Sequence, residues 1–326
     1  MKQILVTGGA GFIGHHFVEL LLRERKESRV IVFDALTYAG SRENLAAFRE
    51  NANFRLVKVD LADRDQLRSV LDFDPDFVVH LAAETHVDRS INSPEPFVRS
   101  NVVGTFELLE ALRSRDWQAA PDRRFLHVST DEVFGSLGPD DPPFKADSPY
   151  RPNSPYSASK AAADHLVRAY RKTYGFPAMI SYCVNNYGPG QHPEKLIPLV
   201  IKAAQEGRPI PLYGDGTQVR SWIHVADHCR GLLLALERGE PGDRFLFGGE
   251  ECTNAEMVQM ICRAMDERVP EAAPHNRLIQ QVPDRPGHDF RYALDDRETR
   301  RKLGWVVEKP LRVSIRELVS KNRAQS

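Results

Sequence analysis

Short apolar segments alternate with longer amphipathic segments over the first 183 residues of the chain. The apolar segments have the length and composition of buried strands. They predict strands at 3–7, 29–33, 54–59, 77–81, 125–129 and 178–183. The segments between them predict helices that include 63–71, 96–113 and 156–174. This alternation indicates an α/β fold with a doubly wound parallel sheet, whose ligands bind at the carboxyl ends of the strands.

A glycine-rich turn joins the first strand to a helical pattern. Gly8, Gly11 and Gly14 would let the backbone approach a pyrophosphate, whose charge the amino end of the helix stabilises. Asp34 ends the second strand about 20 residues after the last glycine, where an acid would accept the ribose hydroxyls and disfavour a 2'-phosphate. The pattern predicts a Rossmann-type site that favours NAD over NADP. The alternative is that Asp34 is a simple turn residue.

The pattern changes after residue 183, where Pro and Gly become frequent and the elements become shorter. We expect helices at 225–238, 254–266 and about 311–322, a strand at 244–247, and loops at 211–216 and 283–288. Residues 1–183 are therefore predicted to form an NAD-binding Rossmann domain, to which part of 220–235 returns. Residues 184–326 are predicted to form a smaller C-terminal α/β region that mainly binds the substrate.

Composition excludes several functional classes. The net charge of the 326-residue chain is −1 and its charges are mixed, which predicts no nucleic-acid partner and no basic membrane-binding face. The amino terminus lacks a signal-peptide pattern, and no apolar run approaches the roughly 20 residues of a membrane span. The four cysteines form no C-x-x-C pair. We therefore expect a cytoplasmic protein without a membrane partner or a metal site.

Two adjacent carboxylates follow the fifth strand, and a Tyr–Lys pair opens the next helix. Asp131 and Glu132 lie at the carboxyl end of the strand, and Tyr156 and Lys160 share one helical face at i and i+4. The charge of Lys160, with that of NAD+, would lower the pKa of Tyr156 from about 10 and make it a base. Repulsion between adjacent carboxylates favours keeping one protonated. The pattern indicates a reaction centre, the alternatives being a surface Tyr–Lys pair and carboxylates that cap a turn.

Longer motifs give the chain a family resemblance. They are Thr-Gly-Gly-Ala-Gly-Phe-Ile-Gly at 7–14, Asp-Ala-Leu-Thr-Tyr-Ala-Gly at 34–40, His-Leu-Ala-Ala-Glu-Thr-His-Val-Asp-Arg-Ser at 80–90, Ser-Thr-Asp-Glu-Val-Phe-Gly at 129–135, Pro-Glu-Lys-Leu-Ile-Pro at 193–198 and Asp-Arg-Pro-Gly-His-Asp at 284–289. With these motifs the chain resembles the dTDP-glucose 4,6-dehydratases, which are extended short-chain dehydrogenase/reductases, over nearly its whole length. The glycine turn and Tyr-x-x-x-Lys mark only the superfamily, whereas Thr-Asp-Glu with Pro-Glu-Lys-Leu-Ile-Pro is more specific.

The resemblance implies an NAD-dependent hydro-lyase that converts an NDP-glucose to the NDP-4-keto-6-deoxyhexose. Tyr156 and Lys160 would support oxidation of C4, and Thr130 would hydrogen-bond the C4 oxygen. Glu132 would take the C5 proton, Asp131 would protonate the departing C6 oxygen, and hydride would then return from NADH to C6.

The resemblance also implies the residues that bind the ligands. The cofactor-binding residues would be Gly8, Gly11, Phe12, Ile13, Gly14, Asp34, Ala35, Leu36, Thr37, Asp60, Leu61, Leu81, Ala82, Ala83, Thr85, Asn101, Tyr156, Lys160 and Asn186. The substrate-binding residues would be Thr85, Thr130, Asn185, Lys195, Leu196, Pro211, Leu212, Tyr213, Arg220, Asn254, Arg285 and His288. Among them, Arg220 and Arg285 suit diphosphate oxygens, and 211–213 would contact the base.

A homodimer is expected as well. The helix predicted at 96–113 is apolar around much of its circumference. It would pack either against a second subunit or within its own subunit.

Three positions depart from the family pattern. The family usually has Arg where Tyr182 stands, Tyr where Gly190 stands and Asp where Ser221 stands. We expect these changes to surround the substrate rather than the cofactor. The base could therefore be uracil or, with Gly190 opening space, something larger. The hypothesis is that the nucleotide preference differs from thymidine, and the hexose stays open.

Two other functions are compatible with part of the pattern. An NDP-sugar 4-epimerase or a UDP-glucuronate decarboxylase would keep Tyr156 and Lys160 but would not need an acid at Asp131. A non-catalytic sensor of NAD or nucleotide sugars would need neither the Tyr–Lys pair nor the carboxylates.

Overall fold

The structure is a computed structural model that describes residues 1–284 and 288–321. Its strands, numbered along the chain, are β1 (Gln3–Thr7), β2 (Arg29–Asp34), β3 (Phe54–Lys58), β4 (Phe77–His80), β5 (Arg124–Thr130), β6 (Ala178–Cys183), β7 (Asn185–Tyr187), β8 (Ile210–Tyr213), β9 (Val219–His224), β10 (Arg244–Phe247), β11 (Glu250–Thr253) and β12 (Ile279–Val282). Its α-helices are α1 (Phe12–Glu24), α2 (Arg64–Val70), α3 (Val87–Asn92), α4 (Glu95–Phe97), α5 (Gly104–Arg113), α6 (Pro155–Tyr174), α7 (Leu196–Gln205), α8 (Val225–Arg238), α9 (Asn254–Arg268), α10 (Arg297–Leu303) and α11 (Leu311–Lys321).

The central sheet has seven strands in the order β10-β6-β5-β4-β1-β2-β3, and every neighbouring pair is parallel. The order reverses direction at β1, so the chain winds outward on both sides of it. The predicted doubly wound parallel sheet is confirmed. All seven carboxyl strand ends therefore meet at one edge, where β1, β4, β5 and β6 bring the sequence motifs together.

Buried apolar side chains form two clusters. One surrounds the seven-stranded sheet, and the other packs α7, α9 and α11 around Trp222 and β8. Residues after 183 also join the first cluster, because α8 and β10 supply side chains such as Leu232 and Phe245. The domain division stays a prediction, and the returning segment extends beyond 220–235.

Some elements differ from the sequence prediction. The helix expected at 96–113 is divided into α4, a π-helical segment Val98–Val103 and α5. The prediction of a loop at 211–216 is wrong for 211–213, because β8 pairs with β12 in a two-stranded parallel sheet. The sequence did not predict these strands, because both are short and β8 contains a proline, which argues against a strand. Part of the loop expected at 283–288 lies outside the described residues.

Local signals place α6 and hence the Tyr–Lys pair. The Ser154 hydroxyl caps the helix by accepting from the Ser157 N–H, and Pro155 begins the first turn with a φ suited to a helix. Gly175, at φ 66°, ends it in the left-handed region. Tyr156 and Lys160 therefore occupy the first two turns, against the end of β5.

We expect Thr253→Ala to lower the free energy of unfolding by about 1 kcal/mol, because it removes a capping box. The Thr253 hydroxyl accepts from the Glu256 N–H at 3.1 Å, and the Glu256 carboxylate accepts from the Thr253 N–H at 2.8 Å. Urea unfolding measures the change. The control Thr173→Ala alters an exposed threonine in the last turn of α6 and should change the free energy by less than about 0.5 kcal/mol. Equal losses in both variants would contradict the role of the cap.

Candidate active site

A cavity of about 580 Å³ lies at the carboxyl edge of the seven-stranded sheet. Its wall combines the glycine turn after β1, the segments after β2, β3 and β4, and the end of β5 with the start of α6. The segment after β6, residues 183–196, closes it from the other side. A single cavity thus joins the two sites that the sequence predicts separately, one for a dinucleotide and one for the reaction.

The glycine turn leaves no room for side chains. A Cβ on Gly8 would lie 2.6 Å from the Ala82 nitrogen, and Gly8 has φ +70°. A Cβ on Gly14 would lie 2.1 Å from the Gly8 carbonyl oxygen. The bare backbone therefore forms a cradle at the amino end of α1, which suits the pyrophosphate of a dinucleotide.

Asp34 borders the same cavity, and its carboxylate is held by the backbone. It accepts from the Ala10 N–H at 2.9 Å and from the Leu36 N–H at 2.8 Å. Burial raises the pKa of Asp34, and these two hydrogen bonds oppose the rise. Each oxygen can accept a further bond, as the ribose hydroxyls of NAD require. The residues present therefore fit NAD.

The end of β5 and the start of α6 form the reaction centre. Thr130 donates to the Asp131 carboxylate at 3.2 Å and accepts from the Glu132 N–H at 3.3 Å. From α6, Ser157 donates to the Glu132 carboxylate at 3.1 Å. Thr130, Asp131, Glu132, Tyr156 and Lys160 all line the cavity. The five residues predicted to be catalytic are thus brought together.

The two carboxylates have different surroundings. The Asp131 side chain is almost fully buried, whereas Glu132 is partly exposed. Burial and the neighbouring Glu132 carboxylate raise the pKa of Asp131 to about 8. Asp131 is therefore protonated at neutral pH and can donate a proton, while Glu132 is available as a base.

The pKa of Tyr156 shifts against the sequence prediction. In the protein alone, burial and the Glu132 and Cys183 side chains raise it well above its ordinary value. Burial lowers the pKa of Lys160, whose ammonium donates to the Val128 carbonyl at 2.8 Å. Tyr156 can therefore act as a base only when the positive charges of Lys160 and the nicotinamide together outweigh its burial.

Known proteins are similar to this chain over most of its length. The family model described as GDP-mannose 4,6 dehydratase matches residues 5–321. The dTDP-glucose 4,6-dehydratase of Neisseria gonorrhoeae is 49% identical over 329 residues, which cover 98% of this chain and 94% of that protein. That of Xanthomonas campestris pv. campestris strain B100 is 51% identical over 314 residues, 94% of this chain and 88% of the relative. The chain belongs to the dTDP-glucose 4,6-dehydratase family.

A crystal structure from the family has the same fold. A double mutant of the dTDP-glucose 4,6-dehydratase of Streptomyces venezuelae, crystallised with NAD bound, superposes with a TM-score of 0.91 and 42% identity. The match covers 100% of this chain and 98% of that chain. The extended short-chain dehydrogenase/reductase fold expected from the motifs is confirmed.

Most cofactor-binding residues expected of a family member line the cavity; the exceptions are Leu36 and Asn101. Leu36 contributes its N–H to Asp34, and its side chain packs against the core. Asn101 is buried in the π-helical segment, and its amide bonds the Glu84 backbone and the Ser159 hydroxyl. Asn101 thus holds the Glu84 backbone and Ser159, and its role in cofactor binding stays a prediction.

The substrate residues fall into two groups. Thr85, Thr130, Asn185, Lys195 and Leu196 line the cavity. The remaining described candidates lie outside its wall; they are Pro211, Leu212, Tyr213, Arg220, Asn254 and His288. The rings of Tyr213 and His288 lie 6.5 Å apart at 82°, which brings part of the second group together beside β8. Binding of the base there stays a prediction.

Of the two arginines expected at the diphosphate, the structure describes only Arg220. Arg220 is buried, and its guanidinium donates to the carbonyls of Val219, Asp289 and Phe290. It also lies over the Tyr292 ring, 4.5 Å from the centroid. These bonds hold the guanidinium behind the cavity wall, where its charge still acts on Asp131. Binding of the diphosphate by Arg220 stays a prediction. Arg285 lies outside the described residues.

The three departures from the family pattern occupy different surroundings, and their proximity to the substrate stays a prediction. Tyr182 is fully buried in β6, where its ring packs against Phe134. Ser221 is also buried, and it accepts from the Gly249 N–H at 3.1 Å. Gly190 alone of the three lines the cavity, with φ +75° beside the His15 ring.

Several residues at the site were not identified from the sequence. Ser157 holds Glu132, and Cys183 lines the cavity beside Tyr156. At the mouth, Arg89 pairs with Glu194 at 2.6 Å and lies over the Tyr38 ring, 3.9 Å from its centroid. Tyr38, Arg89 and Glu194 all fall within motifs named above, so the sequence carried a signal for them. Ser157 also follows Tyr156 directly.

Residues 1–284 and 288–321 contain no group of three His, Cys, Asp or Glu side chains placed to hold a metal ion. The helices among them are all too short or too polar to cross a bilayer.

We expect Gly14→Ala to weaken NAD binding at least about tenfold, equal to about 1.4 kcal/mol. The added methyl would meet the Gly8 carbonyl oxygen at 2.1 Å and force the glycine turn to move. Quenching of protein fluorescence by NAD measures the dissociation constant. In the control Gly104→Ala, the nearest atom to the new methyl is the Leu61 Cβ at 3.5 Å, an ordinary contact. Unchanged affinity in Gly14→Ala would contradict the role of the turn.

Proposed function

We propose that this protein is an NAD-dependent NDP-glucose 4,6-dehydratase whose substrate is dTDP-glucose. The observation that carries the proposal is the buried Asp131, protonated at neutral pH, beside Glu132 and in the same cavity as Tyr156 and Lys160. Relatives that are 45–51% identical and bear the name dTDP-glucose 4,6-dehydratase support it.

The first step is oxidation of the substrate at C4. When bound, NAD would supply the acceptor for the C4 hydride and the donor of the hydride that C6 receives. Tyr156 takes the proton of the C4 hydroxyl. The Lys160 ammonium, one helical turn away, stabilises the negative charge of the Tyr156 phenolate that accepts this proton. Thr130 lies at the end of β5 and can hydrogen-bond the C4 oxygen.

The second step is elimination of water. A C4 ketone makes the C5 hydrogen acidic, and Glu132 removes it. Asp131 gives its proton to the C6 oxygen, which departs as water. Glu132 returns its proton to C5 as the hydride enters C6. At the end of the cycle Tyr156 has gained one proton and Asp131 has lost one. Tyr156 must release its proton and Asp131 must take one up before the enzyme is in its initial state.

The alternatives explain the site less well. A 4-epimerase or a decarboxylase on this scaffold would not need the proton that burial keeps on Asp131. A non-catalytic sensor would not need the side chains of Asp131, Glu132, Tyr156 and Lys160 to meet in one cavity. We therefore retain dehydration as the function.

The proposed nucleotide base, thymine, rests on the relatives and on the three positions that depart from the family pattern. Because Tyr182 and Ser221 are buried away from the cavity, they give no reason for a base other than thymine. Gly190 lines the cavity, and a Cβ there would lie 3.1 Å from the His15 ring, so it does not decide the base. The names of the relatives favour dTDP-glucose.

We also propose a homodimer and a cytoplasmic location. Val98 and Val103 are 52% and 38% exposed, although Leu108, Leu109 and Leu112 of the adjoining α5 are buried. The exposed valines can pack against a second subunit while the leucines pack within their own. Four free cysteines are consistent with a reducing compartment.

The function is tested with a panel of ADP-, CDP-, GDP-, UDP- and dTDP-hexoses in the presence of NAD. We expect dTDP-glucose to lose one water, detected by mass spectrometry, faster than the other members of the panel. Faster turnover of another NDP-glucose would contradict the assigned base. Absence of water loss from every member would contradict dehydration.

The roles of the acid and the base are separable. Asp131→Asn should still permit oxidation of C4, seen as NADH absorbance, but should slow water loss at least about 100-fold, because general acids contribute about that much. Tyr156→Phe should abolish the NADH signal. The control Asp140→Asn changes an exposed carboxylate and should behave like the wild type. Equal loss of both steps in the Asp131 and Tyr156 variants would contradict the assignment.

A further inference from the structure

A buried carboxylate that the proposed reaction does not use lies one helical turn beyond Lys160. Asp164 is on α6 at i+4 from Lys160, so the two side chains share the face that packs against β5. The Asp164 side chain is fully buried. A buried carboxylate is costly unless it is paired and hydrogen-bonded, so its partners indicate its purpose.

Neutral groups hold Asp164 in a single position. Its Oδ2 accepts from the Ser129 hydroxyl at 2.9 Å and from the Tyr150 hydroxyl at 2.9 Å. His127 Nε2 lies 3.0 Å from Oδ1, and burial keeps the pKa of His127 far below its ordinary value, so its ring is uncharged. Burial likewise raises the pKa of Tyr150 and keeps its hydroxyl protonated.

Lys160 is the buried cation among the described groups that influence Asp164. Burial raises the pKa of Asp164 to about 6 and Lys160 opposes the rise, which leaves the carboxylate ionised at neutral pH. In turn, burial lowers the pKa of Lys160 and Asp164 opposes the fall. Within the described part of the chain, the two groups make no direct ion pair. They lie one helical turn apart and bond to adjacent residues of β5, Val128 and Ser129, so each favours the charged form of the other across a short buried distance.

The surrounding titratable groups add no competing buried charge. The groups that face Asp164 are Lys160 and the exposed His165 on α6, His127 on β5, Tyr150 before α6 and, bonded to Tyr150, Tyr182 on β6. Those that raise the pKa of Tyr156 are Glu132, Cys183 and Asp131 at the cavity.

We infer that Asp164 is a positioning residue for C4 oxidation: its carboxylate is the counterion that keeps the Lys160 ammonium charged beside Tyr156. Asp164 does not touch the substrate and acts only through Lys160. The inference deepens the proposed function, on which it rests for the role of Tyr156. Removal of the carboxylate would let Lys160 lose its proton, and Tyr156 would then be a weaker acid.

The test uses Asp164→Asn, which keeps an oxygen for Ser129 and Tyr150 but removes the charge. In the NAD complex, tyrosinate absorbance as a function of pH, with Tyr156→Phe subtracted, reports the pKa of Tyr156 without turnover. We expect Asp164→Asn to raise this pKa by about one unit or more, because a charge within one helical turn acts at that scale. The pH at which C4 oxidation becomes fast should rise by the same amount.

Tyr150→Phe is the matched control, because it removes a hydrogen bond to Asp164 and keeps the charge. In Tyr150→Phe, the pKa of Tyr156 should change from its wild-type value by less than about half of the change seen in Asp164→Asn. Equal shifts in the two variants, or no shift in Asp164→Asn, would overturn the inference. Lack of activity in the wild type with every NDP-hexose would instead overturn the proposed function and leave this titration informative.

A second measurement covers the case in which Asp164→Asn does not fold alone. Asp164→Asn is compared in the wild-type background and in a Lys160→Met background by urea unfolding. If the two charges support each other, the substitution should destabilise the wild type and cost much less, or stabilise, once Lys160 is gone. A variant that does not fold is counted as the larger loss in free energy of unfolding. Equal destabilisation by Asp164→Asn in both backgrounds would overturn the inference.

Discussion

Burial of the Asp131 carboxyl beside a second carboxylate is the constraint on which the site depends. Water would hold both acids ionised at neutral pH. The end of β5 instead places one of them inside the protein and the other at the cavity surface, and their repulsion adds to the effect of burial. Two neighbouring residues of the same chemical type thereby obtain opposite roles, as proton donor and proton acceptor.

The fold supplies this difference through the edge of a parallel sheet. β5 is a central strand, so its last residues emerge into the cavity between the glycine turn on one side and the segment after β6 on the other. The capped start of α6 then brings Tyr156 and Lys160 to the same point, and Ser157 holds Glu132. Deeper in the core, Lys160 and Asp164 are a second case in which burial and a neighbouring charge together set the protonation of a side chain.

The sequence predicted the sheet and the residues that meet at the end of β5, because both depend on local patterns. Apolar strands, glycines with fixed spacing and a Tyr–Lys pair at one helical turn specify their surroundings within a few residues. The surroundings of the candidate substrate residues could not be predicted, because they depend on contacts between distant parts of the chain. The orientation of Arg220 depends on carbonyls nearly 70 residues away, and the position of Tyr182 depends on packing against Phe134 and Tyr150. Spacing also does not reveal that burial raises the pKa of Tyr156 in the protein alone.

The protonation of Asp131 is the most direct test of this account. Infrared difference spectra of the wild type and Asp131→Asn, recorded across a pH series, isolate the carbonyl stretch of the protonated acid. The account predicts that this band is present at pH 7 and disappears near pH 8. A band that is already lost by about pH 5, as expected of an ordinary exposed aspartate, would contradict it.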